Sequence, residues 1–239
     1  MTSSTRNDTM TIEVYADIVC PWCYIGKRRL ERALRNFRGT DGVRIVYRPF
    51  QLDPGAPATG TPARRHLGQK LGSQVGTVLE RTSRMAAREG IEMHFDHALI
   101  GNTLDAHRVL RLAEAEGKQA GVLEQLFAAY FTHGRDITDH AVLADAAAAA
   151  GLDRRHVLDM LAGSTGVREV TAEIAAAHAR GVSSVPTIVV NGRHAIQGVQ
   201  EIPALLDALE RARDEAGAGD AETGDTTPNP AGVAGTCTI

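Results

Sequence analysis

Thr11-Ile12-Glu13-Val14-Tyr15-Ala16-Asp17-Ile18-Val19-Cys20-Pro21-Trp22-Cys23 decides how this chain is read. Ile12, Val14 and Ala16 alternate with Thr11 and Glu13, which is the period of a strand. A helical run then opens at Pro21, with Leu30, Ala33, Leu34 and Phe37 at helical spacing. Proline is tolerated there because an N–H in the first turn has no helical partner anyway. Two cysteines three apart in a helix lie on one face, one turn apart, and can reach each other to form a disulfide. Cys20 falls where backbone N–H groups are unpaired and the helix dipole is positive, so a thiolate is favoured over a thiol. Cys20 is therefore expected to be the reactive sulfur, and Cys23, a turn deeper, the resolving one. On its own the pair still allows redox chemistry, metal binding or simple packing of two thiols.

Outward from this stretch, Val43, Ile45 and Tyr47 alternate with Arg44, Val46 and Arg48, and the run stops at Pro49. Gly39 to Gly42 separates it from the helix, so the opening reads as βαβ with parallel strands. Asp53 to Pro62 is rich in Pro, Gly, Ala and Thr and reads as a loop leaving the sheet. From there to Gly163 no strand is convincing. Helices are expected over Leu67–Glu89, Thr103–Glu116, the stripe Val122, Leu123, Leu126, Phe127 and Tyr130, a segment capped by Thr138 or Asp139 and ending at Gly151, and Asp153–Ala162. Val167, Val170, Thr171 and Ile174 begin another helix, which ends near Gly181. Val185-Pro186-Thr187 then leads into two β-rich runs joined by Asn191-Gly192, a strong hairpin signal. Ile202, Leu205, Leu206 and Leu209 form a last amphipathic helix.

The fold class is thus α/β, with βαβ and αββα parts separated by helices. The parts must share one sheet, because neither alone is stable. Residues 11–61 and 164–213 are assigned to this discontinuous domain and 62–163 to an inserted helical domain. Residues 1–10 and 214–239 are expected to be disordered, since their composition cannot offset the entropy of ordering.

The net charge of −3 over 239 residues, with Arg and Lys scattered among acids, argues against a nucleic-acid partner. No run approaches the ~18 apolar residues of a membrane span, and Met1–Met10 lacks an apolar signal core, so the expected location is cytoplasmic, away from membranes. Three cysteines make no disulfide framework. A metal site is not expected: no second Cys-x-x-Cys or close histidine pair completes four ligands, and His94 and His97 lie far along the chain. Nothing in the sequence sets an oligomeric state.

A βαβ unit with Cys-Pro-x-Cys at its helix start, a helical insertion, and Val-Pro-Thr leading into a hairpin and last helix together resemble the thioredoxin fold, and more narrowly its DsbA-like branch. Val14 to Gly26, with Asn102-Thr103 and Ala106-His107, is similar to the FrnE-like cytoplasmic oxidoreductases. The resemblance implies that Cys20 is the nucleophile and Cys23 the resolving cysteine, and that Pro186 is a cis-proline. Beside the dithiol, the backbone of Val185 can then pair with an extended substrate. Pro21 and Trp22 would face that substrate, Trp22 offering a large apolar surface.

The activity implied is thiol–disulfide exchange through a mixed disulfide, with disulfide isomerisation open to the same site. The partners would be protein or small-molecule thiols and disulfides. No cofactor beyond the dithiol is required, although a low-molecular-weight thiol can serve as co-substrate. Asp17 is either a loop acid satisfying backbone or a proton acceptor for Cys23. Asn102-Thr103 reads first as a helix cap and His107 as a partly buried helix histidine, with site-lining roles as alternatives. Tyr15 and Tyr24 read as core or edge aromatics, and Cys237 as a tail thiol or a third redox partner. Two other functions stay open. One is a glutathione-type isomerase or transferase of the 2-hydroxychromene-2-carboxylate isomerase or kappa-class transferase kind, against which the complete dithiol argues. The other is a non-catalytic binding module, which a solvent-shielded Cys20 would favour.

Overall fold

The computed structural model describes residues 10–38 and 42–218. The tails before residue 10 and after residue 218, with Cys237, and most of the expected break at 39–42 lie outside them. In chain order the elements are β1 (Met10–Ala16), α1 (Pro21–Asn36), β2 (Val43–Pro49), β3 (Thr61–Pro62), α2 (Ala63–Leu71) and α3 (Val75–Arg88). Then follow β4 (Leu99–Ile100), α4 (Leu104–Ala115), α5 (Gln119–Phe127), α6 (His140–Ala149), α7 (Arg154–Ala162) and α8 (Val167–Ala179). The last elements among the described residues are β5 (Thr187–Val190), β6 (His194–Gln197) and α9 (Ile202–Ala218).

The strands from both ends of the chain form one sheet in the order β2-β1-β5-β6. β1 runs parallel to β2, with Met10 opposite Val43 and Ala16 opposite Pro49. On its other edge β1 is antiparallel to β5, with Ile12 opposite Val190 and Tyr15 opposite Thr187. Asn191 and Gly192 both take positive φ (51° and 69°), and the Arg193 N–H closes the turn on the Val190 carbonyl at 3.1 Å. That is the left-handed pair a tight hairpin needs, and Asn-Gly adopts it at least cost. The resulting β5–β6 hairpin has the expected place and sense.

β2 lies at the edge of the sheet, where backbone groups would be left without partners. A side chain supplies the pairing. The buried Gln119 amide accepts from the Tyr47 N–H and donates to the Tyr47 carbonyl, both at 2.8 Å. Gln119 is the first residue of α5, so this amide also fixes the helical segment against the sheet. The same buried cluster contains Ile12 and Leu30 from the sheet part and Leu123 and Leu143 from the helical part, so both share one core.

The structure departs from the sequence reading at four places. Thr61–Pro62 and Leu99–Ile100 pair as a two-residue antiparallel ladder inside the stretch read as free of strands. Two residues are too few to leave a period. Leu67–Glu89 is not one helix: a 3₁₀ turn at Gly72–Gln74 divides it, with Gly72 at φ +57°. Met10, placed in the tail, begins β1 because it pairs with Val43 and is buried. α9 runs on to Ala218 through Asp214–Ala218, read as tail, and Glu215 there pairs with His194 at 2.8 Å. Glu215, Ala216 and Ala218 are good helix formers that extend a helix already nucleated, and together they outweigh Gly217. Of the two candidate caps, Asp139 starts α6, accepting from the Ala141 N–H at 2.8 Å.

Replacing Gln119 with Leu keeps the size but orphans two buried backbone groups at about 1–3 kcal/mol each. Urea unfolding of Gln119→Leu should lower stability by roughly 2–6 kcal/mol. An unchanged midpoint would show that water pairs this edge as well as the amide does.

Candidate dithiol site

Cys20 is the N-cap residue of α1, in extended backbone at φ −88° and ψ 111°. Its N–H donates to the Asp17 carbonyl at 3.1 Å, and the Cys23 N–H donates to the Cys20 carbonyl at 3.1 Å. A tight turn thus feeds the helix, Pro21 fills the first helical position, and Cys23 follows on the first turn. The α1 cap has no side-chain hydrogen bond and its first turn holds no acid. Both sulfurs are buried and are not joined to each other.

Because β5 pairs with β1, the segment leading into β5 arrives over the start of α1. The Cys20 thiol donates to the Val185 carbonyl at 3.7 Å, across 165 positions of sequence. Val185–Pro186 is a cis peptide. The Pro186 carbonyl accepts from the Gly198 N–H at 2.8 Å, and the Thr187 hydroxyl donates to the Ser184 carbonyl at 2.7 Å. Cys20 and Val185 therefore meet, Pro186 follows Val185, and Cys23 lies on the first turn of α1, where Pro21 is buried and Trp22 partly exposed. Cys20 is 0 % exposed, so a partner reaches its sulfur only when the surrounding cover moves.

The three supporting candidates converge on a segment the sequence reading passed over, Phe50-Gln51-Leu52. The Asp17 carboxylate, 1 % exposed, accepts the Leu52 N–H at 2.8 Å through Oδ2. Asp17 thus acts as the acid that satisfies loop backbone. Its Oδ1 has no hydrogen-bond partner among the described residues and lies 3.5 Å from His107 Nε2. His107 Nε2 is 2.9 Å from the Phe50 carbonyl, and a carbonyl only accepts, so Nε2 carries the proton. Asn102 Oδ1 accepts from the Leu104 N–H at 2.9 Å and from Gln51 Nε2 at 3.0 Å, and Asn102 Nδ2 donates to the Pro54 carbonyl at 3.0 Å. Between Asn102 and Thr103, Asn102 is the side chain that caps α4. Gln51 is a polar residue two positions after a strand, which no period marks.

One turn past Cys23, α1 is held to α5 by Glu124. Tyr24 donates to Glu124 Oε1 and Lys27 to Oε2, each at 2.7 Å, while Arg28 pairs with Oε1. Burial opposes ionisation of Glu124, but the Lys27, Tyr24 and Arg28 contacts outweigh it and hold its carboxyl below the usual range. Burial, and then the hydrogen bond to Glu124, push the Tyr24 hydroxyl up to about 12. The Tyr24 ring stacks on Phe127 at 4.7 Å, so it is a core aromatic. Tyr15 is buried too, its hydroxyl accepting from Arg180 at 3.3 Å. His94 is exposed and stands 3.9 Å from Glu92. Among the described residues no group of three or more His, Cys, Asp or Glu side chains could hold a metal ion. No helix among them is long and apolar enough to cross a membrane.

Residues 11–210 match the model of the DSBA-like thioredoxin domain, and the chain belongs to that family. A probable DsbA oxidoreductase from Streptomyces coelicolor is 31 % identical, with TM-score 0.81, covering 96 % of this chain and 99 % of its own. A 2-hydroxychromene-2-carboxylate isomerase superposes with TM-score 0.65 at 18 % identity, over 89 % of this chain and 100 % of its own. The cytosolic disulfide reductase DsbM of Pseudomonas aeruginosa, also solved with glutathione, superposes with TM-score 0.60 at 18 % identity, over 85 % and 98 %. At such identities the last two share the fold. The DsbA-like thioredoxin fold expected from the motifs is the fold of this chain.

The Glu124 clamp predicts an acid-sensitive joint. A carboxyl held below its ordinary value of 4.5 adds stability above that value, and the gain is lost as pH falls through the folded value. Thermal melts from pH 7 to 3 should show Glu124→Gln less stable at neutral pH and its deficit shrinking below about pH 4.5. A constant deficit across that range would rule out the linkage.

Proposed function

We propose that the protein is a thiol–disulfide oxidoreductase of the FrnE-like kind whose working group is the Cys20–Cys23 pair. The observation that carries the reading is the meeting of Cys20, at the start of α1, with the Val185 carbonyl in the segment before β5. It supports reading Cys20 as the nucleophile, Cys23 as the resolving thiol and the Val185 backbone as the strip that pairs with an extended chain.

In the oxidising direction a substrate thiolate attacks Sγ of Cys20 in the Cys20–Cys23 disulfide. That S–S bond breaks, Cys23 leaves as thiolate, and a mixed disulfide forms on Cys20. A second substrate thiolate attacks the substrate sulfur, Cys20 leaves, and two electrons have passed to the protein. In the reducing direction the Cys20 thiolate opens a substrate disulfide and Cys23 resolves it; isomerisation combines the two halves. The electrons rest on the dithiol, so no further cofactor is needed; a low-molecular-weight thiol restores the dithiol after a substrate is reduced, and the corresponding low-molecular-weight disulfide restores the Cys20–Cys23 disulfide after a substrate is oxidised. With three cysteines and no disulfide framework, we assign the protein to the cytoplasm, where the pair cycles. Asp17, whose Oδ1 has no hydrogen-bond partner among the described residues, is the candidate proton acceptor, with His107 beside it.

Complete burial of Cys20 favours a second reading, a binding module in which the thiols never turn over. Turnover of a dithiol substrate separates them. The oxidoreductase loses activity in Cys20→Ser and accumulates a mixed disulfide on Cys20 in Cys23→Ser. Asp17→Asn should slow turnover about 100-fold if the carboxylate moves a proton. Undiminished turnover in Cys20→Ser sinks the proposal, and absent turnover in the unaltered chain favours the binding module.

A further inference from the structure

Gly26 stands inside α1, three residues past Cys23 and on the same face. A glycine there costs a helix about 1 kcal/mol against alanine. Its backbone does not explain it, since Gly26 is absent from the glycines with positive φ. The space around it does. A Cβ at Gly26 would lie 3.2 Å from Cγ and 3.7 Å from Cβ of Pro186, with Val199 Cγ2 at 3.9 Å behind. The Pro186 ring therefore rests directly on the α1 backbone. Val199 lies beside the same gap, and the Pro186 carbonyl is held by the Gly198 N–H at 2.8 Å.

We propose that Gly26 is a positioning residue of the dithiol site: its missing side chain sets how near the Pro186 segment lies to α1, and so how near the Val185 carbonyl lies to the Cys20 sulfur. The ring and that carbonyl belong to consecutive residues, and the sulfur belongs to the residue that caps the helix containing Gly26. The gap at Gly26 and the 3.7 Å contact at Cys20 cannot change independently. A carbonyl accepting from the thiol stabilises its neutral form. Lifting the segment by a few tenths of an ångström weakens that acceptor and releases the thiolate. The proposal rests on Cys20 being the attacking sulfur, but its test needs no substrate.

The experiment is a pH titration of thiolate absorbance at 240 nm on the full reduced chain carrying Cys23→Ser, with and without Gly26→Ala. Gly26→Ala should raise the Cys20 thiolate fraction about two-fold at a fixed pH below the midpoint, because the neutral form loses its acceptor. Gly68→Ala is the control. It lies in α2 with nothing within 4 Å of an added Cβ, and it should leave the titration unmoved. A Gly26→Ala titration that superposes on its parent overturns the proposal, whatever happens to the melting temperature. If Gly26→Ala alone does not fold, the titration is read on Gly26→Ala combined with Val199→Ala, which clears the other side chain near the added Cβ and keeps its 3.2 Å approach to Pro186. The combined variant should move the thiolate fraction in the same direction, and an unmoved curve is equally fatal. Failure of the oxidoreductase reading would show separately, as an unaltered chain without turnover.

Discussion

β1 is hydrogen-bonded along both edges, to β2 on one side and to β5 on the other, and the site exists because of this double pairing. Its C-terminal end delivers Asp17 and the turn into α1. The partner on one edge delivers Phe50–Leu52, and the partner on the other begins just after Val185–Pro186. A strand with both rows of backbone groups satisfied cannot slide, since a one-residue slip would turn Ile12 and Val14 out of the core. The 3.7 Å meeting of Cys20 and Val185 is therefore set by a register and not by the loops themselves.

Around that fixed strand the helical segment works as a brace. Gln119 completes the exposed edge of β2, Glu124 gathers Tyr24, Lys27 and Arg28 of α1, and Asn102 ties the start of α4 to Gln51. Each contact is a polar side chain answering a specific backbone or charged group within one shared core. α1 is thereby gripped from both sides, by β5 and its leading segment at its start and by α5 one turn later. A helix held this way presents its cysteines with little freedom, which suits chemistry that needs a sulfur in one place.

Much of this was legible in the residues. The alternation of β1, the cysteines at a helix start, and Asn191-Gly192 between β-rich runs are local signals with local causes, and they carried the fold family. What escaped was non-local or too short. β3 and β4 have two residues each and only pair with one another. Gln51 and Gln119 are ordinary polar residues in sequence; their roles come from the backbone that folding brings to them. Gly26 was visible as part of a motif, but the reason for it is the Pro186 ring, 160 positions away. The burial of Cys20 was equally unreadable, because cover over a helix start comes from whatever packs there.

The central claim is that Cys20 and Cys23 interconvert between dithiol and disulfide as one two-electron unit. Equilibrating the full chain in glutathione buffers of graded redox ratio, quenching with acid and weighing the intact protein tests it most directly. The account predicts one transition with a two-electron slope, at which the mass falls by about two hydrogens and Cys20 and Cys23 become linked. A chain that stays reduced throughout, or that gains only a glutathione adduct on either sulfur, would contradict it.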